Sequence, residues 1–379
     1  MQKNKAKVIL ISQFPLPYAK IASWPNMYNY LLKKKLHHID YIICPKNVEK
    51  SKNISYQVLR ETTFLDKLKG KFLNKNYRYS CYTEALDKII TNNEKYVIQI
   101  IDNSGIVVPI NAYLKSKHNR ADFFIQYCFH GFLPIVSKQI SQSFFGGIDE
   151  VIFLTKLAYT EFKNFYSECN FKARVISNGV NTNLFKPITV KEKTTLRKEF
   201  DYGNDEVIFM WCSQDRPKKG LHIILEAFDE VYKEHKNIKL IIVGIEREIH
   251  KEGVVVIGRV NNNELPKYYQ MSDVYLFPSL CKEGFGIVLA EALNCGCYCI
   301  ASHQGGIPEV LKYGDYGVII ENPNFIEDWV DEMKRAIAIF STKGNNPYAK
   351  LIPQQVYNIE DWSHNINNSI ENAKTSLNL

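Results

Sequence analysis

The segment DVYLFPSLCKEGFGIVLAEALNCGCYCIAS (Asp273–Ser302) holds an unbroken apolar run, a loop with two glycines, an apolar helical stretch and a second apolar run. The first run ends at Pro278, and the loop carries Glu283, Gly284 and Gly286. The pattern predicts a helix from about Ile287 to Asn294. Continuous rather than alternating hydrophobicity marks strands buried on both faces, as in parallel sheets covered by helices. The same kind of run recurs as KVILIS, IDYIIC, YVIQIID and DFFIQYCFH in the first half and as EVIFMWC, IKLIIVG and GVVVIG in the second. Each half therefore reads as a Rossmann-like α/β layer.

At 379 residues the chain exceeds what one hydrophobic core usually organises. The stretch VISNGVNTNLFKPITVKEKTTLRKEFDYGNDE has an Asn-Gly turn at Asn178-Gly179, a proline at 187 and a charged run before the next strand. The expected boundary lies near Lys186: a first domain over 1–186, a second over 187–357 and a terminal helical segment over 358–379. Two doubly wound sheets so joined are expected to face each other across a cleft at the carboxyl ends of their strands, where such sheets bind ligands.

Charge is unevenly spread. Residues 1–187 hold 27 Lys+Arg against 13 Asp+Glu, whereas the remainder holds 21 against 27. The cationic excess peaks in KLKGKFLNKNYR (Lys67–Arg78), with five cations and no acid. Such a patch attracts an anionic membrane surface or a phosphate-bearing acceptor; a solvated helix face explains it equally well. Without a recognisable nucleic-acid module, nucleic acid is not an expected partner. The first apolar run, Val8–Ile11, is too short for a signal-peptide core, and no run reaches the roughly 20 apolar residues that span a bilayer. A cytoplasmic location is the expectation. The nine cysteines are scattered through strand and helix patterns, which suits reduced thiols. Cys295, Cys297 and Cys299 lack the C-x-x-C turn of a metal site and read as small apolar filler.

Two carboxylates stand out. Gly284 and Gly286 permit close backbone approach, and the helix start beyond them offers free N–H groups suited to phosphate. Glu291 lies in the apolar helical stretch, where a buried carboxylate needs hydrogen-bond donors, and a ribose cis-diol offers two. From spacing alone, an exposed face for Glu291 and a dipole-satisfied helix start for Glu283 fit as well.

PSLCKEGFGIVLAEALNCGCYCIASHQGGIPEVL resembles the E-x7-E signature of family 4 glycosyltransferases (glycosyl transferases group 1), which have the two-domain GT-B architecture. VISNGVNTNLFKP is similar to that family's V-I-x-N-G-V-D segment, with Asn181 in place of aspartate. RPKKGLHIILEAF resembles its basic K-G motif, and VVVIGRVNNNELPKYYQMSDVYLFPS its segment leading to P-S. The resemblance implies transfer of a sugar from a nucleotide sugar, UDP- or GDP-linked, to a glycan or lipid-linked acceptor hydroxyl. Retention of anomeric configuration and no essential metal or other cofactor are implied as well. It casts Lys219 as the main diphosphate cation with Arg216 and Lys218 beside it, because oriented donors and cations must offset the leaving group's charge. It further assigns Glu283 to the donor sugar and Glu291 to the ribose. Gly284, Phe285, Gly286, Ile287 and Val288 become the donor loop, Arg259 and Val260 base contacts, and His130 a group beside the reacting bond. Gly305 and Gly306 suggest a further close approach to the donor.

The chain departs from the family in two places. Ser213 stands where many relatives have an arginine, and QFPLPYAKIASW lacks the family's early glycine pair. Ala22 and Ser23 are small enough for part of that loop's work, and Lys20 and Trp24 are candidates for an acceptor pocket. These departures keep a noncatalytic nucleotide-sugar-binding subunit as the alternative. Epimerases and phosphorylases share the fold but not this set of motifs, and a nicotinamide dehydrogenase would need a G-x-G-x-x-G that ILISQFPLPYAK does not have. The ending IEDWSHNINNSIENAKTSL, with Trp362, is similar to the family's terminal helix that returns to the first domain.

Overall fold

The computed structural model describes residues 6–18, 23–35, 37–46, 53–72, 78–166, 171–343 and 346–378. The chain divides into two compact units, 1–178 with 360–379, and 179–359. The division falls eight residues before Lys186. Residues 179–186 go with the second unit, where Val180 pairs with Asn358 and the Val180 amide donates to the Tyr357 carbonyl at 2.7 Å.

In the first unit seven strands form one parallel sheet: β1 Lys7–Ile11, β2 Tyr41–Cys44, β3 Ser55–Val58, β4 Tyr96–Ile101, β5 Phe123–Cys128, β6 Glu150–Phe153 and β7 Lys172–Val175. Their order is β3-β2-β1-β4-β5-β6-β7. β4 and β5 are buried at every position, the cause of their uninterrupted apolar sequence. The helix Ile359–Leu377 completes this unit from residue 360 onward: Trp362 meets the Tyr28 ring edge-on at 5.2 Å, and Gln126 Nε2 donates to the Ser369 carbonyl at 3.1 Å.

In the second unit the strands are β8 Val207–Cys212, β9 Ile238–Val243, β10 Val254–Gly258, β11 Val274–Phe277, β12 Tyr298–Ser302 and β13 Val318–Ile320. They are parallel in the order β10-β9-β8-β11-β12-β13. Phe209 and Trp211 on β8 pack with Ile224 and Phe228 of the helix Leu221–Glu234 and with Trp329 and Met333 of the helix Ile326–Lys343. Each such side chain contributes roughly 1.5–3 kcal/mol by leaving water. The charged run before β8 is itself a helix, Val190–Glu199, opened by a Thr189/Glu192 capping box. Arg197 on it donates to Asp273 Oδ2 at 2.6 Å and Lys193 to Oδ1 at 2.7 Å, pinning the helix beside the start of β11.

Strand order reverses between β1 and β4 and again between β8 and β11, so each sheet has a crevice beyond the carboxyl ends of those two strands. The chemistry-bearing loops of each unit emerge there.

Candidate functional site

In the second unit, the loop after β8 and the loop after β11 flank the β8/β11 reversal. The Leu280 amide donates to the Lys218 carbonyl at 2.8 Å, and Trp211 Nε1 to the Lys219 carbonyl at 3.3 Å. Gly220 turns the chain into the helix Leu221–Glu234 at φ +72°, and a Cβ there would lie 1.9 Å from the Pro278 carbonyl oxygen. Only glycine permits that approach. Arg216 and Lys218 are exposed, while Lys219 turns inward and is half-buried.

Lys219 Nζ is ion-paired with Glu283 Oε1, which also accepts from Ser279 Oγ at 2.6 Å. Both contacts fall on Oε1 rather than Oε2. The Glu283 backbone is locked by a bridge to Gly305, whose φ is +62°, and by the Gly306 amide donating to the Glu283 carbonyl at 2.8 Å. A Cβ on Gly305 would meet the Glu283 carbonyl oxygen at 2.4 Å, so this second glycine loop holds the first in place.

Beyond Gly284, Phe285 and Gly286 the helix runs over Ile287–Asn294. Ile287 and Val288 occupy its first turn, where amides have no helical acceptor. Phe285 is buried against Tyr357, ring centroids 5.1 Å apart, so it fixes the loop from beneath. Glu291 is 8% exposed, against the exposed-face reading. Its Oε2 accepts one long bond, 3.4 Å, from the Tyr269 hydroxyl. Burial raises its pKa to about 8, which the Tyr269 bond opposes. A carboxyl so weakly satisfied lacks donors that a ligand diol would bring. Arg259 and Val260 lie apart, past the end of β10, where the exposed Arg259 side chain pairs with Glu246 at 3.4 Å.

In the first unit His130 follows β5, and its amide donates to Asp102 Oδ1 at 3.2 Å. Asp102 follows β4 with φ +46°, and burial raises its carboxyl pKa to about 6. The His130 ring stacks on Trp24 at 5.6 Å. Its Nδ1 and the Asn178 Oδ1 are buried without a hydrogen-bond partner. Burial lowers the His130 pKa to about 3, Asn178 acting in the opposite sense, so the imidazole is neutral. Trp24 is buried in the helix Ser23–Lys33 and works as a wall for His130. Lys20 and Ala22 lie outside the described residues, and so does the Ser23 side chain.

Sequence reading singled out Lys219, Glu283, Glu291 and His130 but not Ser279, Tyr269, Asp102 or Asn178. Ser279 and Tyr269 lie in the quoted P-S and YYQMSD segments, where nothing distinguishes a supporting hydroxyl from a core one. Of the clustered cysteines only Cys299 is on a strand; Cys295 ends the helix and Cys297 sits in the turn, all buried. The eight described cysteines are free, and among the described residues no group of three His, Cys, Asp or Glu could hold a metal ion.

Two parallel-sheet units, with a cation, a helix start and carboxylates at the second sheet's reversal, define the GT-B architecture. Residues 192–341, all within the second unit, match the family model described as Glycosyl transferases group 1. It is 29% identical over 198 residues to an uncharacterised glycosyltransferase of Methanocaldococcus jannaschii, covering 48% of this chain and 50% of the relative. It is 34% identical over 142 residues to the N-acetyl-alpha-D-glucosaminyl L-malate synthase of Bacillus anthracis, 35% of this chain and 36% of that enzyme. The chain thus matches about half or less of the length of these curated relatives. Anabaena HepE, solved with UDP and glucose, superposes with a TM-score of 0.69 at 16% identity over 97% of this chain and all of that one, a likeness of fold.

Proposed function

We propose that the chain is a retaining glycosyltransferase that moves a hexose-type sugar from a UDP- or GDP-linked donor to an acceptor hydroxyl without a metal. The observation that carries this reading is the Lys219–Glu283–Ser279 cluster beside the free amides of Ile287 and Val288. A diphosphate leaving group needs cations and oriented N–H donors in a partly desolvated setting, and this cluster supplies both. In this reading Lys219, with the exposed Arg216 and Lys218 at the mouth of the loop, offsets the departing charge. Glu283 holds sugar hydroxyls through Oε2, and Glu291 takes the ribose diol. Arg259 and Val260 are assigned to the base with support from the resemblance alone. In the first unit, His130 is a neutral hydrogen-bonding group rather than an acid. No side chain is assigned as a nucleophile: the acceptor hydroxyl attacks on the face the diphosphate leaves, and its proton passes to the departing phosphate oxygen.

HepE's UDP and the group 1 relatives support a nucleotide-sugar donor. A glycan or lipid-linked acceptor in surface polysaccharide or glycolipid synthesis fits the basic first half. Among the described residues no helix is long and apolar enough to cross a membrane. The test is a thermal-shift and hydrolysis screen against UDP-, GDP- and ADP-sugars, repeated with Lys219→Ala and His130→Ala. We expect at least one donor to raise the melting temperature. Lys219→Ala should lower turnover by roughly 10²–10³-fold. His130→Ala should lower turnover while keeping the donor's thermal shift. Binding without turnover on any acceptor would favour the noncatalytic subunit, and no shift with any donor would sink the reading.

A further inference from the structure

The helix Phe64–Phe72 of the first unit turns its apolar face outward. Phe64 is 75% exposed, Leu65 63%, Leu68 41% and Phe72 70%. At 3.6 residues per turn these four fall within an arc of about 100°. Lys67 and Lys71 border one side of that arc and Lys69 the other, and all three are exposed. Lys71 Nζ lies 5.5 Å from the centroid of the Phe72 ring.

The opposite side of the helix is fully committed. Asp66, its one acid, accepts from Arg60 Nη1 at 2.6 Å and from the Thr63 amide at 2.8 Å. Arg60 also donates to Glu84 at 2.6 Å and to Ser80 Oγ at 2.8 Å. The network holds Asp66 in an ion pair and ties the helix to the unit by its polar side. What remains outward is four large apolar side chains framed by lysines.

Scattered exposed apolar residues need no explanation, but a contiguous face of this kind marks an interaction surface. The lysines choose the partner. Long cationic side chains on both borders let the stems lie along an apolar phase while the ammonium groups reach anionic headgroups. The surplus of 27 Lys+Arg over 13 Asp+Glu in residues 1–187 adds long-range attraction of the same sign. We propose that this helix lies in the headgroup boundary of an anionic bilayer, with Phe64, Leu65, Leu68 and Phe72 facing the acyl chains. This face is independent of the transfer reaction.

The test is flotation of the full chain with phosphatidylcholine vesicles, with and without phosphatidylglycerol. The wild type should float with the anionic vesicles and be released by salt. Phe64→Ser with Phe72→Ser should weaken partition by roughly 100-fold, given the apolar area withdrawn. Each of Lys67→Gln, Lys69→Gln and Lys71→Gln should weaken it by about fivefold. A separate Phe72→Trp variant should show a blue-shifted emission on anionic vesicles. Melting temperatures within the wild-type range, and an unchanged thermal shift with nucleotide sugar, would show that the variants fold and keep the other site. Wild type that ignores both vesicle types, as when a protein covers this face, would overturn the proposal. Equal flotation of the double serine variant, or emission from the Phe72→Trp variant that is indifferent to vesicles, would also overturn it.

Discussion

Replacing Glu291 by glutamine should make the ligand-free protein more stable and its donor binding weaker. In the folded chain the Glu291 pKa is about 8, against an ordinary value of 4.5. Because the folded value is raised, the folded chain keeps a proton that the unfolded chain gives up. Stability therefore falls as pH rises from about 4.5 to about 8, and is lowest above that window. At pH 7 the cost is about 3 kcal/mol, an upper bound that relaxation around Tyr269 reduces. Glutamine resembles the protonated acid in shape and does not titrate. The stability gain of Glu291→Gln should thus be near zero at pH 4.5 and grow to about 3 kcal/mol at pH 7, read from urea unfolding across that range. Ribose hydroxyls that donate to both oxygens require the ionised form, so donor binding should expel a proton. Affinity should then tighten with pH up to about 8, by at most tenfold per unit, and the glutamine variant should show no such slope. A pH-independent stability difference would refute the burial argument, and a flat wild-type affinity would refute the ribose assignment.

Gly220→Ala should destabilise the second unit by more than about 2 kcal/mol, since it meets both a left-handed backbone and the Pro278 carbonyl; a melting temperature within a degree of wild type would contradict the packing described. Ser279→Ala removes a 2.6 Å bond to Glu283 and should lower kcat/KM by about tenfold with little change in unfolding free energy, as steady-state kinetics beside urea titration would show. Asp273→Asn breaks the buried contacts to Arg197 and Lys193 and should cost about 3–5 kcal/mol, read in urea unfolding, without altering donor specificity.

The central strands were legible because burial on both faces writes itself as an unbroken apolar run. The strands that escaped are short or lie at edges. β3 and β7 are half-exposed, β13 has three residues, and β6 carries Glu150 in a buried position, where Arg174 pairs with it at 2.9 Å. The helix Val190–Glu199 read as a charged linker because its inward side is Arg197 and Lys193 reaching Asp273 rather than an apolar stripe. Glu283, Glu291 and Lys219 were visible through motif spacing. The pairing of Lys219 with Glu283 was not, since it depends on β8 and β11 being neighbours; Tyr269 reaches Glu291 through the packing of two helices, whereas Ser279 reaches Glu283 within a single loop. In Lys67–Arg78 the charges were evident, but Leu68 and Phe72 within it, with Phe64 and Leu65 just before it, carry a helical spacing that ordinarily means burial. Only the fold shows that side facing outward.

The second unit is proposed to hold a nucleotide-sugar donor at the β8/β11 reversal. Hydrogen exchange of the full chain with and without saturating UDP or GDP tests it most directly. Protection should concentrate in the amides of Arg216–Leu221 and Gly284–Glu291, with the edge strand β13 little changed and the effect lost in Lys219→Ala. Exchange in those two segments that is unmoved by either nucleotide, or protection confined to the first unit, would contradict it.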